Sequence, residues 1–334
     1  MDQALGLPEA ILVADLGGTN ARFAIAELAS LRLSHVIQFP CQMHRGPEAA
    51  IRAYLEQVDA TPKYASIAIA APVTGDDVVF TNSYWSFKIG ALCRDLGFND
   101  VRVLNDFEAF ALALPSLGSH EVLQIGGTEP QMRGTKVAIG VGTGTGMAAL
   151  VWSPSGWIAV PSEGGHASFA CQTEEDFALA EKLRMDRSHL SAERILSGPG
   201  VSALHQAVAA LHGVEVEAFE PNDVLTRGIA GTDALAVETL RFFVRCLGRF
   251  AGDAALTFGA RGGVYLGGGI TPRILDLLKA GPFRDAFEDK GRMRGYLAPI
   301  PIYAVLAEHA TLRGAAIGAR MNLASSSAFP LGLS

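Results

Sequence analysis

Apolar and polar positions at the start of the chain predict strands followed by a helix. Apolar runs at residues 11–16 and 22–26 flank the glycine turn at residues 17–20, and this arrangement is typical of a β-hairpin. A third strand is predicted at residues 33–39. Apolar residues then recur at helical spacing over residues 47–58, which predicts a helix.

The same order of elements returns in the middle of the chain. Apolar runs at residues 137–141 and 147–152 flank a second glycine-rich turn, and residues 157–160 are a candidate third strand. Strand, glycine turn and strand thus occur twice, each time before further strands and helices. This pattern favours two related α/β domains with a cleft between them.

Further elements are predicted between and after the two hairpins. The predicted strands are residues 66–71, 101–104, 263–266 and 302–306, and the predicted helices are residues 107–114, 173–184, 234–257, one opening near Thr271 and Pro272, and one from about residue 312. Thr173 and Asp176 have the spacing of a capping box. We expect the last helix to return to the first domain, so the expected domains are residues 1–116 with about 313–334, and residues 117–312.

The composition is that of a folded chain rather than a disordered one. Of 334 residues, 49% are hydrophobic and 18% are charged, and the length suits two domains. The formal net charge is -7, from 27 basic and 34 acidic residues. This charge argues against a sequence-independent nucleic-acid binder, because such proteins carry a basic surface.

The cysteines and the start of the chain favour a cytoplasmic protein. Cys41, Cys93, Cys171 and Cys246 are far apart and form no C-x-x-C pair, so neither a disulfide framework nor a structural zinc site is expected. The first residues lack the basic segment of a signal peptide. Residues 137–162 hold no charged residue, but their glycines and prolines argue against a membrane-spanning helix.

Two glycine-rich turns are the first candidates for ligand chemistry. Residues 17–19 and 142–146 can expose successive N–H groups, which form a concavity that binds anions. Together they could hold the β- and γ-phosphates of a nucleotide, with Thr19, Thr143 and Thr145 as hydroxyl donors. The alternative is that both are ordinary hairpin turns.

A third glycine cluster, residues 267–269, precedes a predicted helix and is flat enough for an adenosine. The common nucleotide motifs are absent. The chain has no Gly-Lys dipeptide, which excludes G-x-x-x-x-G-K-[ST], and residues 140–146 read G-x-G-x-G-x-G rather than G-x-G-x-x-G. A dinucleotide-binding fingerprint is therefore disfavoured.

Two acidic residues lie at the ends of predicted strands, where they could act on a phosphate or a hydroxyl. Asp15 lies in the strand that directly precedes the first glycine turn, where its carboxylate could hold Mg²⁺ or satisfy the backbone of the turn. Asp106 follows the strand at residues 101–104, and it could accept a proton from an attacking hydroxyl while Asn105 bonds the same substrate. From position alone, Asn105 and Asp106 are equally compatible with a helix N-cap.

Polar residues around another glycine pair suit a ligand rich in hydroxyl groups. Glu163 and His166 flank two glycines, and Glu193 lies in a second polar segment. Carboxylates accept hydrogen bonds from hydroxyls, and a neutral imidazole can donate or accept, so the set suits a sugar. The alternatives are a structural histidine and a glutamate on a helix surface. No H-E-x-x-H or G-x-S-x-G motif supports a metalloprotease or an esterase.

Taken in order, these segments resemble one known family. The matching segments are LVADLGGTNAR at residues 12–22, LNDF at 104–107, GTG at 142–144, EGGH at 163–166, SAER at 191–194, LSGPG at 196–200, GGGITPR at 267–273 and AFEDKGR at 286–292. In this combination they are similar to the bacterial ATP-dependent glucokinases of the proteobacterial type, within the actin, hexokinase and Hsp70 superfamily. The resemblance runs from about residue 11 to about residue 320.

The resemblance implies an α/β fold of two ribonuclease H-like (actin-like ATPase) domains flanking a cleft. It also implies transfer of the γ-phosphoryl group of ATP to the 6-hydroxyl of D-glucose, which gives glucose 6-phosphate in the first step of glycolysis. A homodimer is expected, with no nucleic-acid or membrane partner.

The resemblance also implies roles for individual residues. Asp106 would be the general base, and the sugar contacts would be Asn105, Asp106, Glu163, His166 and Glu193. The nucleotide-binding residues would be Ala14, Asp15, Leu16, Gly17, Gly18, Thr19, Gly142, Thr143, Gly144, Gly268 and Gly269. Asp15 would hold Mg²⁺ through water. Ala14 stands where the family often has glycine, but the turn that follows it is intact.

Three alternatives stay open. A kinase of the same fold could act on another hexose, a non-catalytic sugar sensor could regulate transcription, and a dinucleotide enzyme would need the fingerprint that is absent. About ten residues precede the first strand, which is short for a helix-turn-helix domain and disfavours the sensor. The related ROK sugar kinases and repressors share the first glycine turn, but their cysteine-rich zinc motif is absent near His166.

Overall fold

The computed structural model describes residues 9–80, 84–184 and 188–328. These residues form two units. One takes the chain up to Leu117 and again from Glu308, and the other is Gly118–Ala307. Each unit contains one main β-sheet with helices packed against it. The predicted segments 1–8 and 329–334 of the first domain lie outside the described residues.

Both units contain runs of consecutive strands and runs of consecutive helices. The strands are β1 (Ala10–Leu16), β2 (Asn20–Glu27), β3 (Leu33–Pro40), β4 (Tyr64–Ile69), β5 (Asp77–Val79), β6 (Ser86–Lys88), β7 (Asp100–Asn105), β8 (Val122–Gly126), β9 (Lys136–Val141), β10 (Thr145–Ser153), β11 (Gly156–Ser162), β12 (Val264–Gly267) and β13 (Ile302–Val305). The α-helices are α1 (Pro47–Val58), α2 (Ile89–Leu96), α3 (Asp106–Ala113), α4 (Glu174–Arg184), α5 (Gly198–Leu211), α6 (Pro221–Ala230), α7 (Ala234–Phe258), α8 (Leu275–Lys279), α9 (Pro282–Glu288), α10 (Arg294–Leu297) and α11 (Ala310–Ala328).

The main sheet of the first unit has the strand order β3-β2-β1-β4-β7. β1 pairs antiparallel with β2 across the predicted hairpin and parallel with β4, which pairs parallel with β7. One face carries Ala14 into the core that also contains Tyr54 of α1. α11 packs on α3, and the Ser66 hydroxyl donates to the Ala315 carbonyl at 2.8 Å. Because β1, β4 and β7 are parallel, the residues that follow them lie at one edge of the sheet.

The main sheet of the second unit repeats this arrangement. Its strand order is β11-β10-β9-β12-β13-β8. β9 is antiparallel to β10, which is antiparallel to β11, while β9, β12 and β13 are mutually parallel. β8 adds an antiparallel strand at the edge beside β13. The repeated strand, glycine turn and strand are therefore confirmed as equivalent parts of two sheets.

Some helices differ in detail from the prediction. α3 ends at Ala113, before Pro115, which lies in a short 3-10 turn. The segment at Thr271 and Pro272 is also a 3-10 turn rather than the start of an α-helix. In the part of the chain that the structure describes, no helix is long and apolar enough to cross a membrane.

The start of α4 is a confirmed capping box that also anchors a buried ion pair. The Asp176 N–H donates to Thr173 Oγ1 at 3.2 Å, and the Thr173 N–H donates to Asp176 Oδ2 at 2.8 Å. The Asp176 side chain is 1% exposed and pairs with Arg249 and Arg245 of α7. Burial alone would raise the pKa of Asp176, but the N–H groups of Gln172 and Thr173 and the Arg249 charge lower it overall.

Candidate functional site

The first glycine turn joins β1 to β2 and leaves two amides unpaired. The Gly17 N–H donates to the Asn20 carbonyl at 3.0 Å and closes the turn. The N–H of Cys41 donates to the Thr19 carbonyl at 2.8 Å, and its thiol donates to the Gly17 carbonyl at 3.4 Å. Among the described residues, no group accepts a hydrogen bond from the N–H of Gly18 or Thr19. The turn can therefore offer consecutive donors to an anion.

Asp15 lies near the end of β1, separated from this turn by Leu16. Its side chain is 17% exposed, and its Oδ2 lies 3.3 Å from Nη1 of Arg22, the residue opposite it on β2. Burial raises the pKa of the Asp15 carboxyl, and the nearby charges of Arg22 and His309 offset only part of that rise. Across the residues described, no cluster of three or more His, Cys, Asp and Glu side chains could hold a metal. A single carboxylate beside a turn predicted to bind phosphate still fits Mg²⁺, which usually takes one or two protein carboxylates together with phosphates and waters.

Ala14 and Leu16, the neighbours of Asp15 predicted to bind nucleotide, face the core of the first unit. Both residues are fully buried there. Their side chains support the strand below the turn, and only their backbone atoms could contact a nucleotide. Alanine at position 14, where the family often has glycine, is therefore accommodated by core packing.

The second glycine turn joins β9 to β10 and, like the first, has backbone amides that can donate to a ligand. The Gly142 N–H donates to the Gly144 carbonyl at 2.9 Å, while the amides of Thr143 and Gly144 have no acceptor within the described ranges. The Thr145 hydroxyl, expected as a donor to phosphate, instead donates to the Leu196 carbonyl at 2.5 Å, and Thr145 is 6% exposed. That expectation for Thr145 is wrong. The unpaired amides and the exposed Thr143 are the remaining donors.

Gly268 and Gly269 lie against this second turn. Gly268 has a φ of +84°, and a Cβ there would lie 2.3 Å from the Val141 carbonyl oxygen, so only glycine fits. The Ile270 N–H donates to the same carbonyl at 3.1 Å. A Cβ on Gly269 would have nothing within 4 Å. This open space beside the turn is compatible with the predicted adenosine site.

Asn105 and Asp106 lie at the junction of β7 and α3. The Asn105 side-chain oxygen accepts the N–H groups of Phe107 and Glu108 at 2.9 and 3.2 Å, so Asn105 is the N-cap of α3. Its Nδ2 donates to the Ala71 carbonyl at 3.4 Å. Asp106 is the first residue of α3, and its Oδ1 accepts the Phe107 N–H at 3.0 Å. The helix-cap alternative is therefore correct for Asn105 and wrong for Asp106, whose charge is favoured at a helix N-terminus.

Glu163, His166 and Glu193 come together in the second unit. His166 Nε2 lies 3.8 Å from Glu163 Oε2, and His166 Nδ1 lies 3.9 Å from Glu193 Oε1. The side chains of Glu163 and His166 are exposed, and that of Glu193 is half-buried. A β-bridge between Ser168 and Ser191 pairs the two segments. The imidazole thus stands between two carboxylates, and this set can donate to and accept from several hydroxyl groups.

The predicted site residues therefore form two groups, one in each unit. In the first unit, Asp15 and the glycine turn lie at the end of β1, and the pair Asn105 and Asp106 lies at the end of β7, at the same edge of the sheet. In the second unit, the second glycine turn lies beside Gly268, Gly269 and Glu193.

Reasoning from the sequence missed Arg22, Cys41 and Ala71. The hairpin register places Arg22 opposite Asp15, so the strand pairing could have identified it. Cys41 and Ala71 contact the site from elsewhere in the chain, and their bonds involve backbone groups. Hydrogen bonds between backbone groups and residues that are distant in sequence cannot be predicted from a local pattern of residue types.

Two sheets share one arrangement, in which a glycine turn joins an antiparallel pair, β1 with β2 and β9 with β10. They define a duplicated α/β protein of the actin-like ATPase fold. A family model described as glucokinase matches residues 12–322. The glucokinase of Chromobacterium violaceum is 46% identical over 314 residues, which cover 93% of this chain and 90% of that protein. The chain therefore belongs to the glucokinase family.

Solved structures confirm the predicted fold class. The crystal structure of a glucokinase from an Antarctic psychrotroph has a TM-score of 0.82 and 34% identity, covering 93% of this chain and 99% of that chain. A ROK family glucokinase from Streptomyces griseus, in complex with glucose and AMPPNP, has a TM-score of 0.65 and covers 92% of this chain and 98% of that chain. Its identity is 20%, so this second likeness concerns the fold alone.

Proposed function

We propose that the protein is an ATP-dependent glucokinase that converts D-glucose to glucose 6-phosphate, the first step of glycolysis. The observation that carries the proposal is the match to the glucokinase family over residues 12–322. The two polar groups described above supply the chemistry that this reaction needs, namely hydroxyl recognition, a base and donors for phosphate.

We assign proton transfer to Asp106. Its carboxylate accepts the proton of the 6-hydroxyl as that oxygen attacks the γ-phosphorus of ATP. Asn105 uses its side-chain oxygen for the helix cap and one amide hydrogen for the Ala71 carbonyl, which leaves the other amide hydrogen to donate to a sugar hydroxyl. Because the cap fixes the start of α3, it also fixes the direction in which both side chains leave the backbone.

The remaining sugar contacts come from Glu163, His166 and Glu193. The two carboxylates accept hydrogen bonds from sugar hydroxyls, and the imidazole between them donates or accepts. Three polar groups at fixed positions discriminate the arrangement of hydroxyls better than one, because a wrong hydroxyl leaves a polar group unpaired.

The phosphates of ATP are held by main-chain donors. The unpaired amides of Gly18, Thr19, Thr143 and Gly144 donate to phosphate oxygens, where charge develops during transfer. Such donors let a chain of net charge -7 bind a polyanion without a basic patch. Mg²⁺, held by Asp15 through water, would neutralise phosphate charge.

The location and the assembly of the enzyme are also proposals. The four cysteines are free thiols, as in a reducing cytoplasm, and we place the enzyme there. A homodimer is expected from the family resemblance. Sedimentation velocity of the purified protein tests the assembly, and a single monomer boundary at micromolar concentration would contradict it.

A coupled assay of ADP release tests the function. The purified chain is given ATP, Mg²⁺ and, in separate reactions, D-glucose, D-mannose, D-fructose or D-galactose. We expect turnover with D-glucose at a kcat/KM at least about 10-fold above that for the other hexoses, since a missing hydroxyl contact alone gives discrimination of that size or more.

The same assay separates the alternatives. Preferred turnover of another hexose would identify a different sugar kinase of this fold. Binding of glucose in calorimetry without any ADP release would identify a non-catalytic sensor. Either result would overturn the proposed function.

A further inference from the structure

Thr145 occupies a position between the second glycine turn and the segments that carry the sugar contacts. It is the first residue of β10, directly after Gly144, and it is 6% exposed. Its backbone N–H donates to Glu193 Oε2 at 2.8 Å, and its hydroxyl donates to the Leu196 carbonyl at 2.5 Å. Both donors of Thr145 are therefore used by the segment that contains Glu193.

The carbonyl side of Thr145 contacts the other sugar-binding segment. A Cβ on Gly165, which lies between Glu163 and His166, would be 2.0 Å from the Thr145 carbonyl oxygen. This close approach is possible only because Gly165 has no side chain. Thr145 thus contacts both segments that bring carboxylates to His166.

Two further contacts connect the turn to the Glu193 segment. The Gly198 N–H donates to the Gly142 carbonyl at 2.7 Å. A Cβ on Gly144 would lie 2.6 Å from Glu193 Oε2, so the carboxylate packs directly on the turn. The turn is therefore bonded to this segment at Gly142 and Thr145, on either side of its unpaired amides.

The two carboxylate oxygens of Glu193 face different parts of the site, one the glycine turn and the other His166. Oε2 accepts the Thr145 N–H, while Oε1 faces His166 Nδ1 at 3.9 Å. A sugar hydroxyl bound at Oε1 would restrain the carboxylate, and the restraint would pass through Oε2 to the turn. An ordered turn would lose less conformational freedom when a phosphate binds to its amides.

We propose that Thr145 is a positioning residue that couples the sugar-binding segments to the second glycine turn, so that bound glucose strengthens nucleotide binding. The proposal rests on the proposed function for its two ligands. It assigns Thr145 no contact with either substrate. Its effect is carried by the hydroxyl bond to Leu196 and by the backbone bond to Glu193.

Calorimetry on the purified full-length chain tests this coupling. The Kd of AMPPNP with Mg²⁺ is measured without and with saturating D-glucose, and the ratio of the two values is the coupling factor. We expect a factor within the usual range of about 5–150-fold for the unaltered protein. Thr145→Val loses the hydroxyl bond to Leu196 but keeps the backbone bond to Glu193, so the coupling factor should fall about 2- to 10-fold, the usual effect of losing one hydrogen bond. Thr145→Ser keeps a hydroxyl and should retain the coupling.

Thr239 provides the matched control. It is also a fully buried threonine, and its hydroxyl donates to the Leu235 carbonyl at 2.7 Å within α7. Thr239→Val should keep the coupling factor of the unaltered protein even if it lowers the melting temperature. If Thr145→Val does not fold, Thr145→Ala replaces it with the same expected loss of coupling.

The outcomes separate this inference from the proposed function. If the unaltered chain binds neither D-glucose nor AMPPNP, the proposed function is wrong, and the coupling falls with it. If it binds both but shows no coupling, or if the variants lacking the Thr145 hydroxyl keep the full factor, only the role of Thr145 is wrong. An equal loss in Thr239→Val would also overturn it, because the effect would then be one of general stability.

Discussion

Asn105 caps the helix that begins with Asp106. The same Asn105 oxygen accepts two backbone N–H groups of that helix, at 2.9 and 3.2 Å. The amide nitrogen of the side chain donates to the Ala71 carbonyl at 3.4 Å. One asparagine therefore has an oxygen that caps the helix and an amide nitrogen whose second hydrogen can donate to a substrate. These two roles can be separated by substitution.

Two substitutions of Asn105 should separate its effect on thermal stability from its effect on glucose affinity. Asn105→Ser keeps a capping oxygen and loses the amide, so we expect a melting temperature close to that of the unaltered protein and a Kd for glucose raised about 2- to 10-fold. Asn105→Ala loses both groups and should also cost about 0.5–2 kcal/mol of unfolding free energy. Thermal unfolding and glucose calorimetry measure the two effects. Equal glucose affinity in Asn105→Ser and the unaltered protein would show that the amide does not contact the sugar.

Replacement of Asp15 by asparagine should raise stability and lower activity. Its folded-state pKa is raised by burial, so the stability linked to this group is fully present below its ordinary value of 3.8 and is lost as the pH rises through the folded pKa. Asp15→Asn should therefore raise the melting temperature at pH 7 and lose that advantage in acid. The same variant should lower kcat/KM by about 10–100-fold, as expected for a group that orients a metal through water. A melting temperature that falls at pH 7 would contradict a folded-state pKa of Asp15 that is raised by burial.

Gly269 offers a direct test of where the nucleotide binds. A Cβ at this position meets nothing within 4 Å in the free protein, so Gly269→Ala should leave the melting temperature nearly unchanged. If adenosine occupies that space, the added methyl group should raise the KM for ATP about 10-fold, which corresponds to about 1.4 kcal/mol. Gly295→Ala is the matched control, because a Cβ there also meets nothing and Gly295 lies in α10. An unchanged KM for ATP in Gly269→Ala would place the nucleotide elsewhere.

The buried pair of Asp176 and Arg249 should make stability depend on acid pH. The folded-state pKa of Asp176 is lowered overall, so its contribution is present above its ordinary value of 3.8 and is lost as the pH falls through the folded pKa. Asp176→Asn should cost about 3–5 kcal/mol at pH 7, because it leaves the charge of Arg249 buried without its partner. The difference between variant and unaltered protein should shrink below pH 3.8.

Asp223 is the control for that experiment. It is an exposed acidic residue in the first turn of α6, and it forms no ion pair with any residue that the structure describes. Asp223→Asn should cost no more than about 1 kcal/mol, the usual size of a helix-dipole effect. Chemical denaturation from pH 7 down to the lowest pH at which the protein folds measures both variants. Similar losses in the two would contradict the structural role of Asp176.

Local sequence patterns were sufficient to predict the elements that are determined by neighbouring residues. The two hairpins follow from alternation around glycine turns, and the start of α4 follows from its capping box. α5 was not predicted, because it opens with Gly-Pro-Gly, which local rules assign to a loop. In the fold, Ser197 caps it by accepting the Gly200 N–H at 3.1 Å, and the helix packs against α7. Tertiary packing there overrides a weak local preference.

The candidate site also contains features that local sequence patterns predict and features that depend on the folded structure. The residue types of Glu163, His166 and Glu193 suited a ligand rich in hydroxyl groups, and the fold brings these residues together. Sugar binding by this cluster stays a prediction. The choice between cap and substrate contact for Asn105 could not be made from position, since both roles use the same residue type at the same place. The use of the Thr145 hydroxyl was mispredicted, because its acceptor lies 51 residues further along the chain.

Replacement of Asp106 by asparagine tests the proposed mechanism most directly. Formation of glucose 6-phosphate is measured with saturating ATP, Mg²⁺ and D-glucose, and glucose binding is measured by calorimetry. Asp100→Asn, an exposed change at the other end of β7, serves as the control. We expect kcat of Asp106→Asn to fall about 10²–10⁴-fold with glucose affinity largely kept, because the base is lost and the binding groups are not. A kcat close to that of the unaltered protein would contradict the assignment of Asp106 as the base.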